Sequence, residues 1–137
     1  MSDNDIPLLV KDFLFHSIDS VEQLEVLLWL FQSEGQKVTA EELSQTLRSS
    51  PNSVQQRLNG LLRNSLVIVE RADADAPEHF YFNAESPSKK IVYQLIEVYK
   101  THRYRVLEII FSPLKKSRHF ADAFRISNKD PKGGRNG

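Results

Sequence analysis

The stretch that decides the fold runs from Val38 to Val69, VTAEELSQTLRSSPNSVQQRLNGLLRNSLVIV. Thr39 and Glu42 stand at capping-box spacing: the threonine hydroxyl accepts from the Glu42 amide and the Glu42 carboxylate from the Thr39 amide, so a helix starts at Ala40. Ala40, Leu43 and Leu47 form its apolar stripe and leave Glu41, Gln45 and Thr46 exposed. Arg48, Ser49 and Ser50 interrupt this short helix. Ser50 is a good N-cap and Pro51 suits the first helical position, where its missing N–H costs nothing, so a second helix begins here. Val54, Leu58, Leu61 and Leu62 make its core face. At about 100° per residue the opposite side carries Asn52, Gln56, Asn59 and Arg63 in one row, with Ser53 and Gly60 alongside. Most polar helix faces are only solvated. A row of amides with one arginine also has the chemistry that reads base edges, because Asn and Gln pair bidentately with adenine and Arg with guanine.

The neighbourhood of that row favours the second meaning. A capped helix, a polar corner with Ser and Pro, a second helix and then Leu66-Val67 resemble the winged helix-turn-helix domain of bacterial transcription regulators of the MarR and ArsR type. The resemblance covers roughly residues 20–85. It implies that helix 51–63 is the recognition helix, that Asn52, Ser53, Gln56 and Asn59 meet base edges, and that residues 71–78 form the wing. It also implies an effector cleft between the winged domain and the helix that follows it.

Around this centre the rest of the chain falls into place. Upstream, Asp19 or Ser20 caps a helix whose Val21, Leu24, Leu27, Leu28 and Phe31 share a face that Val26, Trp29 and Leu30 widen, so it is covered on more than one side. It should end near Gly35, with Val38 as a short bridging strand. Leu8, Leu9, Val10, Phe13, Leu14 and Phe15 predict a further N-terminal helix that docks on something large; the resemblance implies that it joins the subunit interface. Downstream, no glycine follows helix 51–63, so its left-handed terminal residue must be Asn64 or Ser65, with Asn64 expected. Residues 66–71 and 79–83, rich in Val, Ile, Phe and Tyr, read as a hairpin around the connection 72–78.

Ser86 and Pro87 open, and Pro113 stops, one long predicted helix over 86–112. Val92, Leu95, Tyr99, His102, Val106 and Ile109 alternate by three and four, a coiled-coil rhythm. A helix this long overreaches a small winged domain, so these six residues are expected to bury against a second subunit; packing along its own domain is the alternative. Ser117 then caps a short helix bearing Phe120, Ala121 and Phe124, and residues 128–137 are expected to be disordered.

Composition sets the outer limits. The 137 residues, 40% hydrophobic and without cysteine, suit one compact domain with tails and exclude a disulfide framework. The start of the chain has no charged n-region leading into an apolar stretch, and no apolar run approaches the roughly 20 residues of a bilayer span. A cytoplasmic protein without membrane association is expected. The net charge of zero conceals an acidic start and a basic end. Residues 1–34 hold Asp3, Asp5, Asp12, Asp19, Glu22, Glu25 and Glu34 against Lys11. Residues 100–137 hold ten bases against Glu108, Asp122 and Asp130. Such a basic third favours contact with a polyanion, or with the acidic start of this or another subunit.

Catalytic and metal chemistry find little footing. His16, His79, His102 and His119 are scattered, so a zinc site would need acids or several subunits. The run from Asp73 to Glu78 lacks the glycine and the third oxygen position of a calcium loop and reads as a solvated turn. No glycine-rich phosphate loop, nucleophile elbow or framed carboxylate pair is present. Neither enzymatic activity, nor a metal, nor a cofactor is expected. Tyr93, Tyr99 and Tyr104 read as core or interface aromatics.

The expected fold is mainly α with a small β-hairpin: an N-terminal helical segment (1–18), a winged helix-turn-helix domain (19–85), a long dimerisation helix (86–112), and a short helix with a basic tail (113–137). The expected function is a homodimeric, sequence-specific regulator of transcription that binds double-stranded DNA. Lys37, Arg48, Arg57 and Arg63 would then meet phosphates. The alternative is a winged-helix module that binds a protein partner through its acidic wing or basic C-terminal third. Arg48, Arg57 and Arg63, with no acid between them, favour DNA; Asp73, Asp75 and Glu78 against Arg71 favour protein.

Overall fold

The computed structural model describes residues 5–115. In chain order it contains α1 (Leu8–Ser17), α2 (Val21–Gln32), α3 (Ala40–Leu47), α4 (Pro51–Arg63), β1 (Val67–Glu70), β2 (His79–Phe82), α5 (Lys89–Thr101) and α6 (Arg103–Ile110). The expected helix around Ser117, with Phe120, Ala121 and Phe124, and the basic tail both lie outside the described residues.

α2, α3 and α4 each start on the polar chemistry that the sequence places there. Ser20 caps α2: its Oγ accepts from the Gln23 amide at 3.0 Å, and Gln23 Oε1 accepts from the Asp19 amide at 2.7 Å. Thr39 and Glu42 form the reciprocal box at the head of α3, at 3.0 and 2.9 Å. Ser50 accepts from the Ser53 amide at 3.1 Å ahead of Pro51 in α4. α2 is the beam on which the rest is built. Leu24, Val26, Leu27 and Leu30 have no exposed surface, and α2 packs on α3, α4, β2 and α5.

The exit from α4 departs from expectation at one residue. Asn64 keeps a right-handed backbone (φ −94, ψ 8), and Ser65 takes the left-handed one at φ 60. The Ser65 amide bonds the Leu62 carbonyl and the Leu66 amide the Leu61 carbonyl, both at 3.0 Å. This paired closure places the left-handed residue one position beyond Asn64, whose side-chain amide instead donates to the Ser17 carbonyl at 3.4 Å. Ser65→Gly should relieve roughly 1–2 kcal/mol of left-handed strain, offset by about 0.5–1 kcal/mol of freedom added to the unfolded chain. The expected result is a stability raised by up to about 1.5 kcal/mol, read as a higher denaturant midpoint at unchanged slope; a lowered midpoint would contradict this account of the turn.

β1 and β2 pair antiparallel, Val67 opposite Phe82 and Glu70 opposite His79. Val38 adds an isolated bridge to Phe80, with bonds of 3.0 and 2.7 Å. The hairpin is therefore tied to the segment that leads into α3. Phe80 and Phe82 send their rings into the core, and Phe82 meets Phe31 of α2 edge-on, centroids 4.8 Å apart.

The expected single helix over 86–112 is two helices. α5 begins at Lys89, not at Pro87, because the Ser86 hydroxyl and carbonyl hold the Ser88 and Lys89 amides in a turn. It ends at His102, whose backbone (φ −129, ψ 44) is not helical. No proline or glycine marks the break. Thr101 Oγ1 donates back to the Glu97 carbonyl at 3.1 Å, a contact that bends helices, and lies 2.7 Å from His102 Nδ1. Splitting the run into pieces of 13 and 8 residues lets both pack on α1 of the same chain.

That packing covers most of the expected seam from within the protomer. Val92, Leu95 and Val106 have no exposed surface within the protomer, and Ile109 is buried too. Tyr99 and His102 are half-buried, and the Arg103 guanidinium lies 4.6 Å from the Tyr99 ring centroid. These side chains face their own core and leave little area for a partner. Among the described residues, the large apolar side chains that do stand exposed are Leu8, Leu9, Tyr93, Tyr104, Phe111 and Leu114.

The two ends of the described chain meet. Asp5 accepts from Lys11 Nζ at 2.6 Å, the Ile6 amide at 2.7 Å and Arg105 Nε of α6 at 3.0 Å; these bonds, the Lys11 one foremost, hold its carboxyl far below the usual range. Residues 113–115 are helical, with Ser112 accepting from the Lys115 amide at 3.1 Å. Buried Lys115 sends its ammonium to the Leu14 and Phe15 carbonyls at the end of α1.

Candidate nucleic-acid interface

α4 presents the amide row to solvent. Val54, Leu58 and Leu61 are fully buried and Leu62 partly, because α4 lies on α2, α3 and β1. Asn52, Gln56, Asn59 and Arg63 are all exposed on the other side. Gln55 Nε2 donates to Asn59 Oδ1 at 3.0 Å and orients that amide. Gly60, expected on the edge of the polar face, is buried instead. A Cβ there would overlap the side-chain amide of Gln23 on α2, which donates to the Arg57 carbonyl at 3.4 Å. The glycine serves close approach of two helices.

Four of the eight expected DNA-contacting side chains, Asn52, Gln56, Asn59 and Arg63, make up this row, and Arg48 is exposed as a fifth. The side chains of Arg48 and Arg63 have no hydrogen bond or ion pair among the described residues. The other three are engaged within the protein. The Ser53 hydroxyl donates to Glu22 of α2, and Arg57 Nε donates to the same carboxylate oxygen at 2.9 Å. Partial burial pushes the Glu22 carboxyl up, but hydrogen bonds from Ser53, Ser49 and Arg57, with the Arg57 charge, outweigh it and hold the group below its ordinary value. Lys37 pairs with Glu70 at 2.9 Å and lies 5.2 Å from the Tyr81 ring centroid. Tyr81 donates to Glu70 as well, at 2.9 Å. The bond to Glu70 raises Lys37 and Tyr81, and the bonds from Lys37 and Tyr81 lower Glu70.

The wing consumes its own arginine. Arg71 pairs with Glu78 at 3.0 Å and donates to the Ala74 carbonyl at 3.2 Å. Asp73 caps its own turn through the Asp75 amide at 2.9 Å, and both aspartates are exposed. A shallow groove of about 440 Å3 separates the start of α4 from the wing, with Asn52, Gln55, Arg71 and Glu78 on its walls. A larger cleft of about 730 Å3 lies between the end of α2, β2 and α5, walled by Phe31, Phe82, Tyr93 and Ile96.

This arrangement of helices followed by a hairpin is found in solved structures. The adhesin competence repressor AdcR of Streptococcus pyogenes superposes with a TM-score of 0.51 at 20% identity, over 81% of each chain. A MepR mutant of S. aureus bound to an oligodeoxyribonucleotide matches with a TM-score of 0.50 at 15% identity, over 87% of this chain and 88% of that one. An apo form of mutant ZitR from Lactococcus lactis gives 0.50 at 17%, over 80% and 83%. These neighbours are MarR-family winged-helix regulators. The chain has the winged helix-turn-helix fold. Identities of 15–20% carry the likeness at the level of fold. No family model matches the chain, and no curated protein matches it by sequence.

Within this winged helix-turn-helix, Glu22 is the residue of the candidate site that sequence reasoning passed over. Glu22 read only as one acid of a charged N-terminal third. Its distance of 31 and 35 residues from Ser53 and Arg57 leaves no local signal. The described residues contain no group of three or more His, Cys, Asp or Glu side chains arranged to hold a metal, and no helix among them is long and apolar enough to cross a membrane.

Proposed function

We propose that the chain is a sequence-specific DNA-binding regulator of transcription that acts as a homodimer, with α4 entering the major groove. The observation that carries this reading is the exposed row of Asn52, Gln56 and Asn59, ending in the free guanidinium of Arg63, on the recognition-helix position of a winged helix-turn-helix. Asn52, Gln56 and Asn59 would read base edges; Arg48 and Arg63 would meet phosphates on either side of them. A second copy would place its own α4 in the next major groove, about 34 Å along the duplex.

Pairing is supported by the exposed Leu8 and Leu9 of α1 and Tyr104 of α6, together with Phe111 and Leu114. Leu8 and Leu114 border one concavity with Phe15 and Ile109. Exposed apolar surface of this kind marks an interface, and it replaces the buried seam as the proposed contact between subunits. Sedimentation should return the mass of two chains.

Titration of the protein with random duplex at low and moderate salt tests the DNA reading. Binding should weaken steeply as salt rises, since each neutralised phosphate contributes about 0.9 to the slope of log affinity against log salt. Arg63→Ala should lower affinity for every sequence and flatten that slope by about one. Absence of binding at low salt would remove the regulator reading. It would favour the alternative, a protein-binding module whose docking surface is the wing, where Asp73 and Asp75 stand outward while Arg71 is already paired.

A further inference from the structure

We propose that Glu22 is a positioning residue for the reading helix: it holds Arg57 off the phosphate backbone and fixes the rotation of α4 that turns the amide row outward. The inference deepens the DNA-binding reading above and rests on it. Glu22 stands in the first turn of α2, and Ser53 and Arg57 lie one turn apart on a single stripe of α4. Both donate to one carboxylate oxygen.

Two donors one turn apart on α4 therefore converge on one acid outside the helix-turn-helix. With Ser53 and Arg57 drawn toward α2, the adjacent stripe of Asn52, Gln56 and Asn59 has to face away. The carboxylate also removes a cation from the interface. Side-chain exposures of 32% for Arg57 and 23% for Glu22 leave the pair half-sheltered, so salt screens it less than a surface pair. Arg48 and Arg63, by contrast, have nothing to give up before meeting a phosphate. The protein thus carries three arginines on this surface and spends two on DNA, which keeps non-specific attraction low relative to base reading.

The test is the salt dependence of random-duplex binding by the full chain and by Glu22→Gln, Arg57→Gln and the double variant, with unfolding midpoints measured alongside. Arg57→Gln should keep the wild-type slope, because Arg57 contacts no phosphate while the acid is present. Glu22→Gln should steepen it by about 0.9, the contribution of one phosphate, and the double variant should return it to the wild-type value. A purely structural tie between α2 and α4 would move the midpoints and leave all the slopes alike.

A slope lowered by about 0.9 in Arg57→Gln overturns the proposal, because Arg57 would then already be on the DNA. An unchanged slope in a folded Glu22→Gln overturns it too. If Glu22→Gln does not fold, Glu22→Ala takes its place, with the same steepening expected and an unchanged slope again overturning the proposal. Failure of the wild-type protein to bind any duplex at low salt is a different result: it removes the DNA reading, and this inference with it.

Discussion

Replacing Gln56 and Asn59 together by alanine should lower affinity for a selected duplex by about 2–6 kcal/mol, because a bidentate amide–base pair contributes roughly 1–3 kcal/mol of discrimination. Affinity for random duplex should change little, since neither side chain carries charge. Stability should stay within about 0.5 kcal/mol, as for most surface substitutions: both side chains are exposed, and Asn59 meets only the amide of Gln55. The measurement is a selection from a random pool with the wild-type protein, followed by titration of both proteins with the winning site and with random duplex. Equal loss on both duplexes would show that the amide row does not read sequence. Loss confined to the selected site would place base recognition on α4.

The second large effect belongs to the other side of the same helix. Leu58 precedes Asn59 in sequence and has no exposed surface. Leu58→Ala removes buried methyl groups and leaves a cavity between α4 and its supports, which costs about 2–5 kcal/mol. Small domains have only about 5–15 kcal/mol in total, so a large share of the molecules should unfold under mild denaturant. Denaturant titration at unchanged slope reads the loss. A loss below about 1 kcal/mol would mean that α4 does not rest on α2 and α3 as described. The pair of experiments separates presentation from recognition: one face of α4 decides whether the helix is held, the other what it meets.

How much of this could be read from the amino acids depends on the range of the forces involved. The starts of α3 and α4 were readable because Thr39 with Glu42, and Ser50 with Pro51, act within four residues. The hairpin and the Val38 bridge were readable from side-chain type and alternation. The break at His102 was not, for it comes from a threonine hydroxyl and from packing on α1. The seam followed the break: a heptad rhythm records which residues are buried, not whose surface buries them. Ser65 took the left-handed turn from Asn64 because the bonding of Leu61 and Leu62 counts positions from the helix end. At the interface, Asn52, Gln56, Asn59 and Arg63 followed from helical periodicity. The capture of Ser53, Arg57 and Lys37 could not be foreseen, since Glu22 and Glu70 reach them across more than thirty residues.

The meeting of the chain's two ends has a consequence in time. α1 is made first, yet its apolar side rests on α5 and α6, and the bonds from Asp5 to Arg105 and from Lys115 to Leu14 each bridge about a hundred residues. During synthesis, α2 to β2 can collapse around their own leucines while α1 waits with Val10, Phe13 and Leu14 uncovered. Domains assemble from the N-terminus as they emerge, and an uncovered apolar segment is the one prone to wrong partners in the interval. α6 closes the structure over α1, so a chain cut before residue 103 would hold a reading head already shaped and a first helix still looking for its seat.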